Sequence, residues 1–156
     1  MIAKGIPLRG HGVNVAAVRQ HAGHWQFLLV KRANDEIYEG FWGFVSGSIE
    51  SGETVEQVAL RELFEETSLT PQALYATEYL IQFFEPTAEA IWLLPLVVAV
   101  VATNAEVHLC TENSAFHWAS PDEARKLVHW KNVIRAIDDL NDDLSRYPAP
   151  GWVLLP

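Results

Sequence analysis

Three glutamates set the chemistry that this chain offers. Glu62 and Glu66 stand four apart and Glu65 stands three beyond Glu62, so on a helix all three project from neighbouring positions on one surface. Each like-charge pair at that spacing costs a helix about 0.2–0.5 kcal/mol, and a bound hard cation is one reason to keep them together. An all-oxygen donor set suits Mg²⁺ or Mn²⁺, which retain several waters and also grip phosphates. A solvated acidic face, with Arg61 and Glu65 as an ordinary surface ion pair, accounts for the same spacing without a metal.

The preceding residues favour the metal. Gly47-Ser48-Ile49-Glu50-Ser51-Gly52-Glu53 is a loop with two glycines leading into the helix, where the backbone approaches a ligand closely or turns sharply. Gly47, five residues, Glu53, seven residues, then Arg61-Glu62-Leu63-Phe64-Glu65-Glu66-Thr67-Ser68-Leu69 resembles the Nudix box, G-x5-E-x7-R-E-U-x-E-E-x-G-U with U aliphatic, at eight of nine specified positions. The departure is Ser68, which stands where the box has a glycine that ends the helix in the left-handed conformation. A second is Val45-Ser46-Gly47, where many members have Pro-Gly-Gly. The stretch Phe41-Trp42 to Thr54 is similar to the group of dATP pyrophosphohydrolases and dihydroneopterin triphosphate pyrophosphatases. So are Thr111-Glu112-Asn113-x-Ala115-Phe116-x-Trp118 and Trp130-x-Asn132-x-x-x-Ala136-Ile137. The segment from Leu80 to Ala90 is shorter than in that group, so the resemblance leaves the substrate unfixed.

The resemblance implies a Nudix-type α/β/α sandwich that hydrolyses a phosphoanhydride bond with Mg²⁺, or with Mn²⁺ in its place. Its substrate would be a nucleoside triphosphate or pterin triphosphate, and pyrophosphate would be released. The alternatives are another nucleoside diphosphate derivative, such as an oxidised nucleotide, a dinucleoside polyphosphate or a nucleotide sugar, and a non-catalytic nucleotide-binding module. By the same resemblance Glu62 and Glu66 ligate metal, and Glu65 is a further ligand or the base that activates water. Arg61 and Glu53 hold these glutamates in place. Glu112 matches a position that supplies a ligand or base, although a solvated loop carboxylate reads equally well.

Other candidates come from the residues themselves. Lys31 and Arg32 end a strand where cations would meet phosphates, as Arg9 and Ser46 would more weakly; plain surface solubility is the alternative. Gly47 lets backbone approach substrate. Trp42 and Phe44 stack on a base or, at alternate positions, simply pack in a core. The six histidines share no metal-ligand spacing and read as structural or surface residues, and Trp118, Trp130 and Trp152 read as core or terminal anchors.

The elements that must position these groups follow from periodicity. Gly12–Val18 and Trp25–Lys31 read as paired strands across the turn-like 20–23, followed by a loop from Arg32 to Phe41. Apolar residues at Val55, Val58, Ala59 and Leu63, with Leu60 at the margin, mark a helix over 54–67 opened by a Thr54–Gln57 capping box. Tyr75–Phe84, Ile91–Val101 and Ala115–Ala119 read as strands. Ser120-Pro121-Asp122-Glu123 starts a helix, and another runs from about Trp130 to Leu144. Strands, helix, strands and helix in that order predict an α+β mixed sheet with helices on both faces.

Composition bounds the rest. A chain of 156 residues, 49% apolar and 20% charged, predicts a single domain able to fold alone. The formal charge of −9 argues against a nucleic-acid partner and requires cations to carry in any polyphosphate. One cysteine, Cys110, no secretory layout at the N-terminus and no apolar run long enough to cross a bilayer predict a cytoplasmic protein without a membrane partner, as a monomer or homodimer.

Overall fold

The computed structural model describes residues 5–34 and 36–156; residues 1–4, which entered the reading of localisation, and residue 35 of the predicted loop lie outside it. The element order is β1 (Leu8–Arg9), β2 (Gly12–His21), β3 (His24–Arg32), β4 (Trp42–Gly43), β5 (Val45–Ser48), α1 (Val55–Thr67), β6 (Ala73–Glu85), β7 (Ala90–Val100), β8 (Asn113–Ala119), α2 (Pro121–Leu127), α3 (Lys131–Leu144) and β9 (Val153–Leu154). One mixed sheet runs β4-β3-β2-β7-β6-β9, with β1 parallel to β7, β5 antiparallel to β2 and β8 antiparallel to β3. The β2–β7 pairing is parallel.

Period-two alternation in β2 feeds two cores. Val13, Val15 and Ala17 pack with Val97, Ala99 and the α1 residues Val58, Ala59 and Leu63. Ala16 and Val18 pack with Leu96, Val98 and the α3 residues Val133, Ala136, Ile137 and Leu140. The sheet therefore lies between helices, as the element order predicted. Leu63, with none of its surface exposed, anchors α1 with about 1.5–3 kcal/mol of burial. Leu60 is 37% exposed, the margin its position in the helical period assigned it. Among the described residues no helix is long and apolar enough to cross a membrane.

The predicted helix starts are present in detail. Thr54 accepts from Gln57 N–H while Gln57 answers the Thr54 N–H, and Ser120 and Glu123 do the same for α2. The β2–β3 turn is tighter than predicted: the strands run to His21 and from His24, with Ala22 and Gly23 at φ 49° and 79°, the geometry in which two central residues join twisted strands. The sequence reading left 42–48 without strands, because two short runs rich in glycine and serine carry no alternation. Here β5 pairs with β2 over Val45–Ser48, so Ser46 and Gly47 belong to the sheet rather than to a loop.

Helix α1 ends as the departure at Ser68 implies: Ser68 sits at φ 61°, ψ 13°, its N–H on Phe64 O at 2.8 Å. That conformation costs an L-residue about 1–2 kcal/mol, partly offset in a glycine by the freer unfolded chain. Ser68→Gly is expected to raise Tm by about 2–4 °C, and the β-branched Ser68→Val to lower it, in thermal unfolding.

Candidate functional site

Arg61 ties the acidic helix to the segment before it. Its Nε and Nη2 donate to the two oxygens of Glu53 at 2.7 and 2.9 Å, Nη1 donates to Glu62 Oε1 at 2.6 Å and to Glu65 Oε2 at 3.4 Å, and Nη2 also reaches Ser48 O at 2.9 Å. This planar fork uses the geometry that a lysine lacks. Glu53 also accepts from Glu50 N–H at 2.8 Å. The Arg61 bond first, then that backbone bond, hold its carboxyl down at about 2, and Arg61 is pushed up in turn by Glu53.

The three glutamates do not share one surface evenly. Glu66 is 2% exposed, the Glu62 side chain 12% and that of Glu65 57%, because a four-residue step on α1 turns Glu66 toward the sheet. Glu66 Oε1 accepts from Asn113 Nδ2 at 2.9 Å and Oε2 from Ser46 N–H at 3.3 Å. Burial dominates its titration and, with the charges of Glu62 and Glu112, outweighs these bonds to push it up to about 7. Burial likewise raises Glu62 against the pull of Arg61. Glu112, distant in sequence, thus comes within electrostatic reach of both.

Gly47 makes room for this arrangement. A Cβ there would fall 1.9 Å from Glu62 Cδ, so glycine is needed for close approach and not for backbone freedom.

Two contiguous cavities meet at these carboxylates. An open cleft of about 540 Å³ is lined by Gly47, Ser48, Glu62 and Glu112, with Glu36, Glu50 and Glu85 at its rim. A more enclosed cavity of about 230 Å³ is lined by Glu66, Asn14, Phe44, Phe41 and Trp130 among others. Arg32, Tyr38, Ser46, Phe83 and Leu94 line both. Tyr38 lies 5.7 Å from Phe41 in a stack, with Trp130 edge-on to both at 5.4 and 5.3 Å.

The structure sorts the remaining candidates. Arg32 is the one arginine or lysine lining either cavity among the described residues; Lys31 lines neither, and a register shift falls between the two against β8. Arg9 lies 5.9 Å over the Trp92 ring, beside the cleft but not in its lining. Trp42 packs against the core of the α3 face, whereas Phe44, 6% exposed in that same core, also lines the enclosed cavity. Trp130 lines that cavity rather than serving only as an anchor. Sequence reasoning missed Asn14, Tyr38, Phe41 and Phe83. For Asn14 a signal existed: one amide inside an apolar strand.

Among the described residues no three His, Cys, Asp or Glu side chains are gathered into a ready-made metal cage, since Arg61 occupies one oxygen of Glu62 and Glu65 points outward. The donors nonetheless fit a hard divalent cation. Glu66 is buried beside Glu62 and Glu112 with an amide and a backbone N–H but no cationic side chain bonded to it among the described residues, so its charged form is disfavoured, and a hard ion bound through oxygen would stabilise it.

Comparison with known proteins gives the family and the fold. A family model described as the NUDIX domain matches residues 9–140. Nucleoside triphosphatase NudI of Escherichia coli O139:H28 is 30% identical over 112 residues, covering 67% of this chain and 77% of that protein. A Caenorhabditis elegans Ap4A hydrolase in a binary complex superposes with a TM-score of 0.75 at 19% identity over 87% of this chain and 98% of that one. The E. coli dihydroneopterin triphosphate pyrophosphohydrolase gives 0.69 at 20% identity over 88% and 99%.

Two outcomes follow from the geometry. Gly47→Ala is expected to leave the fold intact, since the flexible Glu62 side chain yields, and to lower turnover by about 100-fold, the cost of moving a positioned group by an ångström; unfolding and kcat measured together check this. The second concerns pH. A carboxyl raised from 4.5 to about 7 on folding gives stability that is full below the unfolded value and lost as pH rises through 7, on the order of 3 kcal/mol for Glu66. In chelator, Tm of the wild type should fall from pH 5 to 8, and Glu66→Gln should flatten that decline.

Proposed function

This chain belongs to the Nudix hydrolase family, and from that premise we propose that it hydrolyses a phosphoanhydride bond of a nucleoside triphosphate or pterin triphosphate with Mg²⁺, releasing pyrophosphate. The observation that carries the reading is the junction of the two cavities: a carboxylate-lined cleft suited to cations and phosphates opens into an aromatic-walled cavity of a size to take part of a planar ring system. The names of the similar proteins, a nucleoside triphosphatase and a dihydroneopterin triphosphate pyrophosphohydrolase, support this substrate class.

In this reading Glu62 and Glu66 would hold the metal, with Glu112 of the cleft lining as a further donor and Glu65, which lines neither cavity as it stands, joining them only by turning inward; Mn²⁺ would serve in place of Mg²⁺. The bound cation supplies charge neutralisation at the phosphoryl oxygens and a more acidic water. Arg61, fixed by Glu53, keeps Glu62 aimed into the cleft, and Gly47 leaves space for it. Arg32, at the border of both cavities, meets the phosphate chain. Glu65 or Glu112, the two exposed members of these four glutamates, takes a proton from the attacking water; the new P–O bond forms as the anhydride P–O bond breaks and pyrophosphate leaves. Phe44, Phe41 and Trp130 wall the ring-binding end.

The test measures pyrophosphate and phosphate release from nucleoside triphosphates, dihydroneopterin triphosphate, diadenosine tetraphosphate and nucleotide sugars, with Mg²⁺ and with chelator. Chelator-sensitive pyrophosphate release from a triphosphate is expected, reduced at least ~100-fold in Glu66→Gln with the fold retained. Release insensitive to chelator, or unchanged in Glu66→Gln, overturns the metal role; activity confined to diadenosine tetraphosphate or sugars moves the substrate class.

A further inference from the structure

The enclosed cavity has a polar group in its wall that the rest of the molecule leaves without a partner. Strand alternation places Asn14 on the α3 face of the sheet, between residues that belong to the α1 core. It lines the cavity beside Ser46, its directly opposed partner on β5, so the two side chains share a face. Asn14 is 8% exposed. Among the described residues its side-chain amide makes no hydrogen bond to protein, and the backbone N–H of Ser46 and the amide of Asn132, which line the same cavity, are engaged elsewhere. Ser46 N–H donates to Glu66, and the Asn132 amide spans Gln82 O and Val133 N–H.

The amide is not sealed from solvent: it faces the cavity, so water completes it in the free protein and a group that enters the cavity takes the water's place. A carboxamide presents one acceptor and one N–H donor side by side, which pairs in bidentate fashion with a heterocycle edge carrying an adjacent donor and acceptor. The aromatic groups on the same cavity, Tyr38, Phe41 and Trp130, supply faces for such a ring.

We infer that Asn14 reads the hydrogen-bonding edge of the substrate's heterocycle and thereby sets which base or pterin this chain accepts. The inference rests on the nucleotide reading above and adds a specificity-determining residue to it. Its test compares kcat/KM across the nucleoside triphosphates and dihydroneopterin triphosphate for wild type, Asn14→Leu and Asn14→Asp, with Tm for each. The ratio between best and worst substrate is expected to collapse at least ~10-fold in Asn14→Leu, whose Tm is little changed because the amide bonds to no other side chain or backbone group among the described residues. Asn14→Asp, nearly the same shape but acceptor-only, is expected to move the rank order toward heterocycles with two adjacent donors, as on guanine. A uniform fall across the panel that leaves the ratios intact in both variants marks a structural role and overturns the inference. So does a wild type that turns over every base equally. A wild type inactive on the whole panel instead overturns the nucleotide reading itself.

Discussion

The fork of Arg61 is the constraint on which the arrangement of carboxylates depends. One guanidinium engages Glu53, Glu62, the Ser48 carbonyl and, at longer range, Glu65, and so joins α1 to the end of β5 and to the intervening loop. Without it Glu62, raised by burial, would turn toward water and the loop would lose its fixed distance from the helix. The pairs are only partly sheltered from solvent, so their value lies less in stability than in geometry. Several groups held by one rigid planar donor cannot move independently.

Glu66 obeys a different logic. It is buried against the sheet, held by an amide and a backbone N–H, and set beside carboxylates that repel it. Nothing in folding alone rewards that position, which is the usual mark of a group placed for chemistry. The two glutamates thus differ in setting: Glu62 is tethered by Arg61 in the lining of the cleft, and Glu66 is desolvated in the wall of the enclosed cavity.

How much of this was legible in the sequence varied with the kind of signal. The helix α1, its Thr54 cap, its left-handed end at Ser68 and the cluster around Arg61 were readable because each depends on residues within a few turns of one another. The layers on both faces followed from element order. The strands β4 and β5 were not readable, since Trp42–Gly43 and Val45–Ser48 are too short to show alternation and are defined by partners on β3 and β2, elsewhere in the chain. The cavity walls escaped for the same reason. Tyr38, Phe83 and Trp130 become neighbours of one space only through the sheet, and aromatic residues read singly look like core. Lys31 and Arg32 carried the same sequence signal, but as consecutive strand residues they face opposite ways, and Arg32 alone lines the cleft.

The distribution of the two cavities along the chain bears on how such a protein changes over generations. The groups suited to hydrolysis, apart from Glu112, lie between Gly47 and Glu66, whereas the enclosed cavity draws its walls from β2, the loop before β4, β6 and the start of α3. Substitutions in any one of those distant segments reshape a single wall and leave the Arg61 fork untouched. Substrate preference can therefore drift in small, separable steps while the hydrolytic apparatus stays fixed, a modularity that makes this scaffold evolvable.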